Sequence, residues 1–115
     1  MKILYKSKTA EKQFSPEYQR GWKYPQEVKI KLLAMGNAIQ QATNLQDIAR
    51  LQQYHFHRLE GKRKNEWSLY VGNTGYRITL IPCDENGDEI TNGDIIAQCK
   101  MIKVVLVTGV SNHYE

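Results

Sequence analysis

The sequence predicts one small α+β domain in which helices pack on one face of a sheet, and three observations predict it. A stripe of apolar residues at helical spacing fills the first half, an alternating apolar pattern broken by a glycine-rich turn fills the middle, and a β-branched run stands near the end. With 115 residues, a second core would leave too little apolar area for either, so residues 1–115 are read as a single domain. Hydrophobic residues make up 41% and charged residues 24%, which excludes the low-hydrophobicity, high-charge composition of a disordered chain.

Taken in order, Lys2-Ile-Leu-Tyr-Lys6 is short, mixed apolar and basic, and bounded by Ser7 and Lys8, which reads as an edge strand or a strand-like start. A short helix is predicted through Ala10 to Phe14. Ser15-Pro16-Glu17 then offers an N-cap with proline in the first helical turn of another brief helical piece, ended by Gly21. Pro25 opens the clearest element. Val28, Leu32, Met35, Ile39 and Ala42 recur at spacings of four, three, four and three along one stripe of a helix, while Lys29, Lys31, Asn37, Gln40 and Gln41 lie off it. The stripe is shorter than the roughly three to four heptads of a coiled coil, so core packing is the better reading. Thr43-Asn44 breaks the pattern, and Leu45, Ile48 and Ala49, with Leu51 as a further candidate, suggest a short second helical turn.

After Gln53 the period becomes two. Trp67, Leu69 and Val71 alternate with Ser68 and Tyr70, Gly72-Asn73-Thr74-Gly75 supplies a turn, and Tyr76, Ile78 and Leu80 alternate with Arg77 and Thr79. That is a β-hairpin, whose second strand Pro82 is expected to end. Since two strands alone are not stable, the helices should pack on a larger sheet. From Asp84 to Asp94 the chain is acidic and turn-rich, with Asn86-Gly87-Asp88 echoed by Asn92-Gly93-Asp94. The spacing does not match a calcium-binding EF-hand loop, so a solvated insertion between strands is expected. Met101 to Val107 reads as a central strand leading into a polar tail, Thr108 to Glu115.

The formal charge of +4, with a pI near 9.1, suggests a polyanionic partner. The positive charge is concentrated: Met1 to Glu66 carries +7 and Trp67 to Glu115 carries −3. Solvated helix faces account for such a bias as readily as a phosphate-attracting surface does. Two cysteines, Cys83 and Cys99, and no apolar run of signal-peptide or bilayer-spanning length, predict a cytoplasmic protein with reduced thiols and no membrane association.

Residues able to carry chemistry gather in three places: His55 to Lys64, Arg77 on the hairpin, and His113-Tyr114 at the end. RNA is a substrate these residue types can handle. Cleavage needs a base for the 2′-OH proton, an acid for the departing 5′-oxygen, and cations for the phosphoryl oxygens. Histidine suits both proton steps, and the guanidinium groups of Arg63 and Arg77 match phosphate with paired donors, so no metal or other cofactor is required. Each part also has a plainer reading. In a strand, His55 and His57 project to the same face, which fits a metal pair as well as an active site, although no third ligand is evident nearby. Lys62-Arg63-Lys64 is more often a solvated turn, and Trp67 more often core than a base-stacking platform.

The stretch His57-Arg58-Leu59-Glu60-Gly61-Lys62-Arg63, then Glu66-Trp67-Ser68-Leu69-Tyr70-Val71, then Gly75-Tyr76-Arg77-Ile78-Thr79 resembles the central block of HigB toxins, in the RelE-like group of type II toxin-antitoxin systems. Val110-Ser111-Asn112-His113-Tyr114 is similar to their short aromatic, histidine-bearing tail, and the strand and helices before the block come in the family's order. The resemblance implies a RelE-like fold, N-terminal helices packed on a mainly antiparallel sheet. It implies an endoribonuclease that cuts messenger RNA in the ribosomal A site, a HigA-like helix-turn-helix antitoxin as partner, and contact with DNA only through that antitoxin.

Carried over position by position, the resemblance makes His57, Arg77 and His113 or Tyr114 the catalytic candidates. Arg58, Lys62, Arg63 and Lys64 are the RNA-binding candidates. Two departures stand out. The family's lysine before the glycine is replaced by Glu60, and its acidic-aromatic-histidine tail is here Asn112-His113-Tyr114. They motivate the alternatives: a catalytically weak or inactive toxin-like module acting as antitoxin corepressor, or a simple RNA-binding domain. A metal hydrolase using His55, His57 and a carboxylate of the acidic loop is a third reading.

Overall fold

The β-branched segment near the C-terminus becomes the middle of a sheet. The computed structural model describes residues 1–17, 24–63 and 65–112. Strand β5 (Val104–Asn112) lies between β1 (Lys2–Tyr5) and β4 (Tyr76–Cys83), and the five-stranded order β1-β5-β4-β3-β2 is completed by β3 (Trp67–Tyr70) and β2 (His57–Arg58). β1 runs parallel to β5, and the other neighbouring pairs are antiparallel. The molecule is therefore a small α+β domain on a mixed sheet, with β1 at the edge as its composition predicted.

Helix starts follow capping chemistry. α1 (Lys8–Lys12) begins where the Ser7 hydroxyl accepts a hydrogen bond from the Ala10 N–H. This lies earlier than the expected Ala10 to Phe14, because the serine cap sets the start and leaves Phe14 beyond the helix, its ring tilted against Tyr5 at 5.9 Å. Ser15 to Glu17 form a turn, and the rest of the helical piece expected up to Gly21 lies outside the described residues. α2 (Gln26–Gln41) follows Pro25 directly, and α3 (Leu45–Ala49) is capped by Asn44, whose side chain accepts from the Asp47 N–H. Among the described residues no helix is long and apolar enough to cross a membrane.

The core forms between α2 and one face of the sheet. Val28, Leu32, Met35 and Ile39 are buried with Trp67, Leu69, Ile78, Leu80, Val105 and Val107, alternate residues of β3, β4 and β5. Full burial of each aliphatic side chain is worth about 1.5–3 kcal/mol. Lys29, expected off the stripe, is only 2% exposed. It sits roughly 100° round the helix from Val28, so the neighbouring structure covers the flank of the stripe as well as its centre.

Two strand limits differ from expectation. Pro82 does not end β4, which continues to Cys83 with Pro82 opposite Val105. The Pro82 carbonyl accepts from the Ile90 N–H at 3.0 Å, away from β5. Its nitrogen points the same way, so the missing N–H removes no bond of the β4–β5 ladder. β5 begins at Val104 instead of Met101, because Ile95–Gln98 forms a short helix, α4, capped by Asp94, and Cys99–Met101 continues it as a 3-10 turn. Met101 is left 78% exposed. At its other end β5 reaches Asn112, taking in part of the expected tail.

The opposite face of the sheet is divided. Leu4, Ile81 and Leu106 occupy one end, where Gly87 of the acidic loop lies against Leu4. That loop folds on its own aspartate, the Asp84 carboxylate accepting from the N–H groups of Asn86 and Asp88 at 2.9 and 3.0 Å. The other end is polar, and it carries the candidate chemistry.

Candidate active site

Alternation along β2 decides which side chains reach the polar face. Phe56 stacks on Trp67 with ring centroids 4.5 Å apart, and the Arg58 guanidinium lies 5.1 Å from the same ring, both on the core side. His57 therefore projects the other way, opposite Ser68 of β3. Of the candidates near this strand, Arg58 does not join His57: period two separates neighbours onto opposite faces.

His57 is held by the residue two before it. His55 ends the 3-10 turn Gln52–Tyr54 with φ 46° and ψ 55°, the left-handed region that a non-glycine residue seldom occupies. This turn aims its carbonyl at His57, whose Nδ1 lies 2.7 Å away. A carbonyl only accepts, so Nδ1 carries the hydrogen, and in the neutral ring Nε2 is left with its lone pair. His55 is not in a strand, yet its ring still lies beside that of His57, the centroids 4.9 Å apart. Tyr70 packs against both, stacked with His55 at 4.7 Å and edge-on to His57 at 5.6 Å.

Arg77 stands on the same face. Register places it opposite Tyr70 on β3 and Ser111 on β5. Its Nε donates to Ser111 Oγ at 3.3 Å, and its Nη1 and Nη2 have no protein partner among the described residues. His57 and Arg77 thus stand on either side of β3 on one face, on strands two spacings apart, roughly 10 Å between strand axes, and offset by two residues in register. No protein-family model matches the chain, and no curated protein matches it.

A second polar network borders this face. The Arg63 guanidinium pairs with Glu66 at 2.8 Å, and the same Glu66 oxygen accepts from the Thr108 hydroxyl at 3.1 Å. Thr108 lies 2.6 Å from the Thr79 hydroxyl. Because Thr108 gives its one hydrogen to Glu66, Thr79 is the donor between the threonines, its hydrogen shared with the Gly109 carbonyl at 3.3 Å. Thr108 is available for this role because β5 bulges: Thr79 faces Gly109 and Leu80 faces Val107, leaving Thr108 as the extra residue. Arg63, expected to meet phosphate, is engaged as a strut between the Gly61–Arg63 turn and β5. Ser68, between His57 and Thr79 in register, is fully buried, and its hydroxyl has no hydrogen-bond partner among the described residues.

Glu60 is exposed, and Lys62 belongs to the Gly61–Arg63 turn. Lys64, His113 and Tyr114 lie outside the described residues; the last described residues of β5, Ser111 and Asn112, pair with Arg77 and Tyr76. Among the described residues no three His, Cys, Asp or Glu side chains group as a metal ion would need. Asp84 and Asp94 are occupied with loop and helix-cap N–H groups. Sequence reasoning passed over Tyr70, Thr79, Thr108, Glu66 and Ser111. Alternation along the hairpin was the available signal for Tyr70 and Thr79, since both share the parity of Ser68 and Arg77.

Proposed function

We propose that this protein is a HigB-like toxin of the RelE-like group, an endoribonuclease that cuts messenger RNA on the ribosome and so inhibits translation. Its partner in this reading is a HigA-like helix-turn-helix antitoxin, through which alone it meets operator DNA. The observation that carries the reading is the shared face of His57 and Arg77, with Nδ1 of His57 committed to a carbonyl and Nε2 left as the base. The block resemblance around these residues points to the same chemistry.

The reaction needs no metal. His57 Nε2 removes the 2′-OH proton as that oxygen attacks phosphorus, while the Arg77 guanidinium meets the negative charge building on the phosphoryl oxygens. The bond to the 5′-oxygen breaks, leaving a 2′,3′-cyclic phosphate and a 5′-hydroxyl. In the resemblance, His113 or Tyr114 protonates that leaving oxygen.

The test is to supply the protein to translating ribosomes and map new messenger ends. Wild type is expected to generate them, and His57→Gln and Arg77→Gln to lower the rate by about 10²-fold or more while retaining the fold and antitoxin binding. Unchanged cleavage in both variants would overturn the assignment. A second reading, a catalytically weak module serving as corepressor or RNA-binding domain, draws on Glu60, on the Arg63–Glu66 pairing and on Arg58 facing away. Absence of new ends together with intact operator binding by the toxin–antitoxin complex would favour it.

A further inference from the structure

Phosphodiester cleavage of this kind needs two proton transfers on opposite sides of one phosphorus, and a second imidazole stands beside His57. Resting on the nuclease reading above, we propose that His55 and His57 form an acid–base pair, with His55, in place of the tail residue that the resemblance implies, as the catalytic acid that protonates the leaving 5′-oxygen.

Three independent features single out His55. Its backbone is held left-handed, and among the described residues it is the only non-glycine residue with positive φ. Strain of this kind persists only where surrounding structure over-determines it, and it concentrates at functional sites. Its ring is exposed, open to a ligand from solvent, yet stacked on Tyr70 at 4.7 Å and 25°, which orients it. Finally, its ring centroid lies 4.9 Å from that of His57, a separation at which one phosphate can be contacted by both.

The roles divide through the carbonyl contact. His57 enters the reaction neutral, with Nε2 open, and leaves it protonated. His55 enters as imidazolium and leaves neutral. The O2′–P bond forms as the P–O5′ bond breaks, one proton passes to His57 and one from His55, and solvent restores both rings afterwards. No oxidant, reductant or metal enters the balance.

The test exploits the left-handed backbone. Asparagine tolerates this conformation, so His55→Asn keeps the carbonyl that holds His57 and removes only the imidazole. Two ribosome-bound messengers are compared, one natural and one with sulfur replacing the 5′-bridging oxygen at the mapped cut. A thiolate departs without protonation. His55→Asn is expected to cut the natural messenger about 10²-fold more slowly than wild type and the sulfur messenger within a few-fold of wild type. His57→Gln should be slow on both. Wild-type speed on the natural messenger overturns the proposal, and so does equal slowing on both, which would make His55 a support for His57 alone. If wild type cuts neither messenger, the nuclease reading fails and the acid role with it.

Discussion

The carbonyl oxygen of His55 accepts a hydrogen bond from Nδ1 of His57 at 2.7 Å. This single backbone contact selects which nitrogen of the imidazole is open for chemistry. It follows that neutral His57 should be found as the Nδ1–H tautomer. Nitrogen-15 NMR of histidine-labelled protein, above the pH at which the ring titrates, should show a protonated Nδ1 and an unprotonated Nε2. The reverse pattern would contradict the contact and remove His57 Nε2 as the base.

Arg77 should be sensitive to shape as well as charge. Its Nε is anchored on Ser111, and among the described residues the two terminal nitrogens remain as paired donors. Lysine retains the charge but loses the planar fork. On the proposed nuclease reading, Arg77→Lys is therefore expected to lower messenger cleavage by at least about tenfold, and Ser111→Ala by a few-fold, through looser positioning. Urea denaturation should shift by less than about 1 kcal/mol in both, as each change is on a half-buried polar face.

The Thr79–Thr108–Glu66 chain should be energetically coupled. Thr108→Val removes the nearer acceptor for Thr79, leaving it the Gly109 carbonyl, and removes the donor to Glu66 while preserving shape, and should cost about 1–2 kcal/mol. Thr79→Val added to it should cost less than it does alone, with a coupling of about 0.5 kcal/mol or more in a double-mutant cycle. Additive losses in denaturant titrations would show that the hydroxyls act separately.

Cys83 should make stability fall in alkali. Burial, together with Glu89 and Asp84, raises its pKa from 9.0 to about 11. The folded state thus favours the neutral thiol, so its contribution is complete below pH 9.0 and is lost as pH rises towards about 11. At about 1.4 kcal/mol per unit, the loss is about 2–3 kcal/mol. Thermal melts of wild type and Cys83→Ala between these limits should show the steeper fall in wild type. Parallel curves would refute the linkage. Both thiols are free and buried, so alkylation of the native protein near neutral pH should be slow.

Much of the architecture was legible because local periodicity reports it. The four-three-four spacing from Val28 to Ile39 marked the face of α2 that meets the sheet, and alternation from Trp67 to Leu80 marked the hairpin and its buried side. The limits at Pro82 and Met101 were misread for a non-local reason. Whether proline interrupts a strand depends on which neighbour its nitrogen faces, and here it faces Ile90 instead of β5. Whether Met101 joins a strand depended on α4 and the turn that follows, whose start is an aspartate cap in a loop rich in aspartates.

The chain's own residues determined an α+β domain, a helix with one apolar side, a hairpin, and an Arg77 that shares its hairpin face with Tyr70 and Thr79. Only the tertiary structure decided that His55 and His57 meet over Tyr70, that Arg58 turns to Trp67, and that Arg63 is spent on Glu66. Periodicity acts through neighbours along the chain, whereas these contacts depend on a left-handed turn at His55, on strand register, and on a bulge at Thr108 that brings residues 42 positions apart into one hydrogen bond.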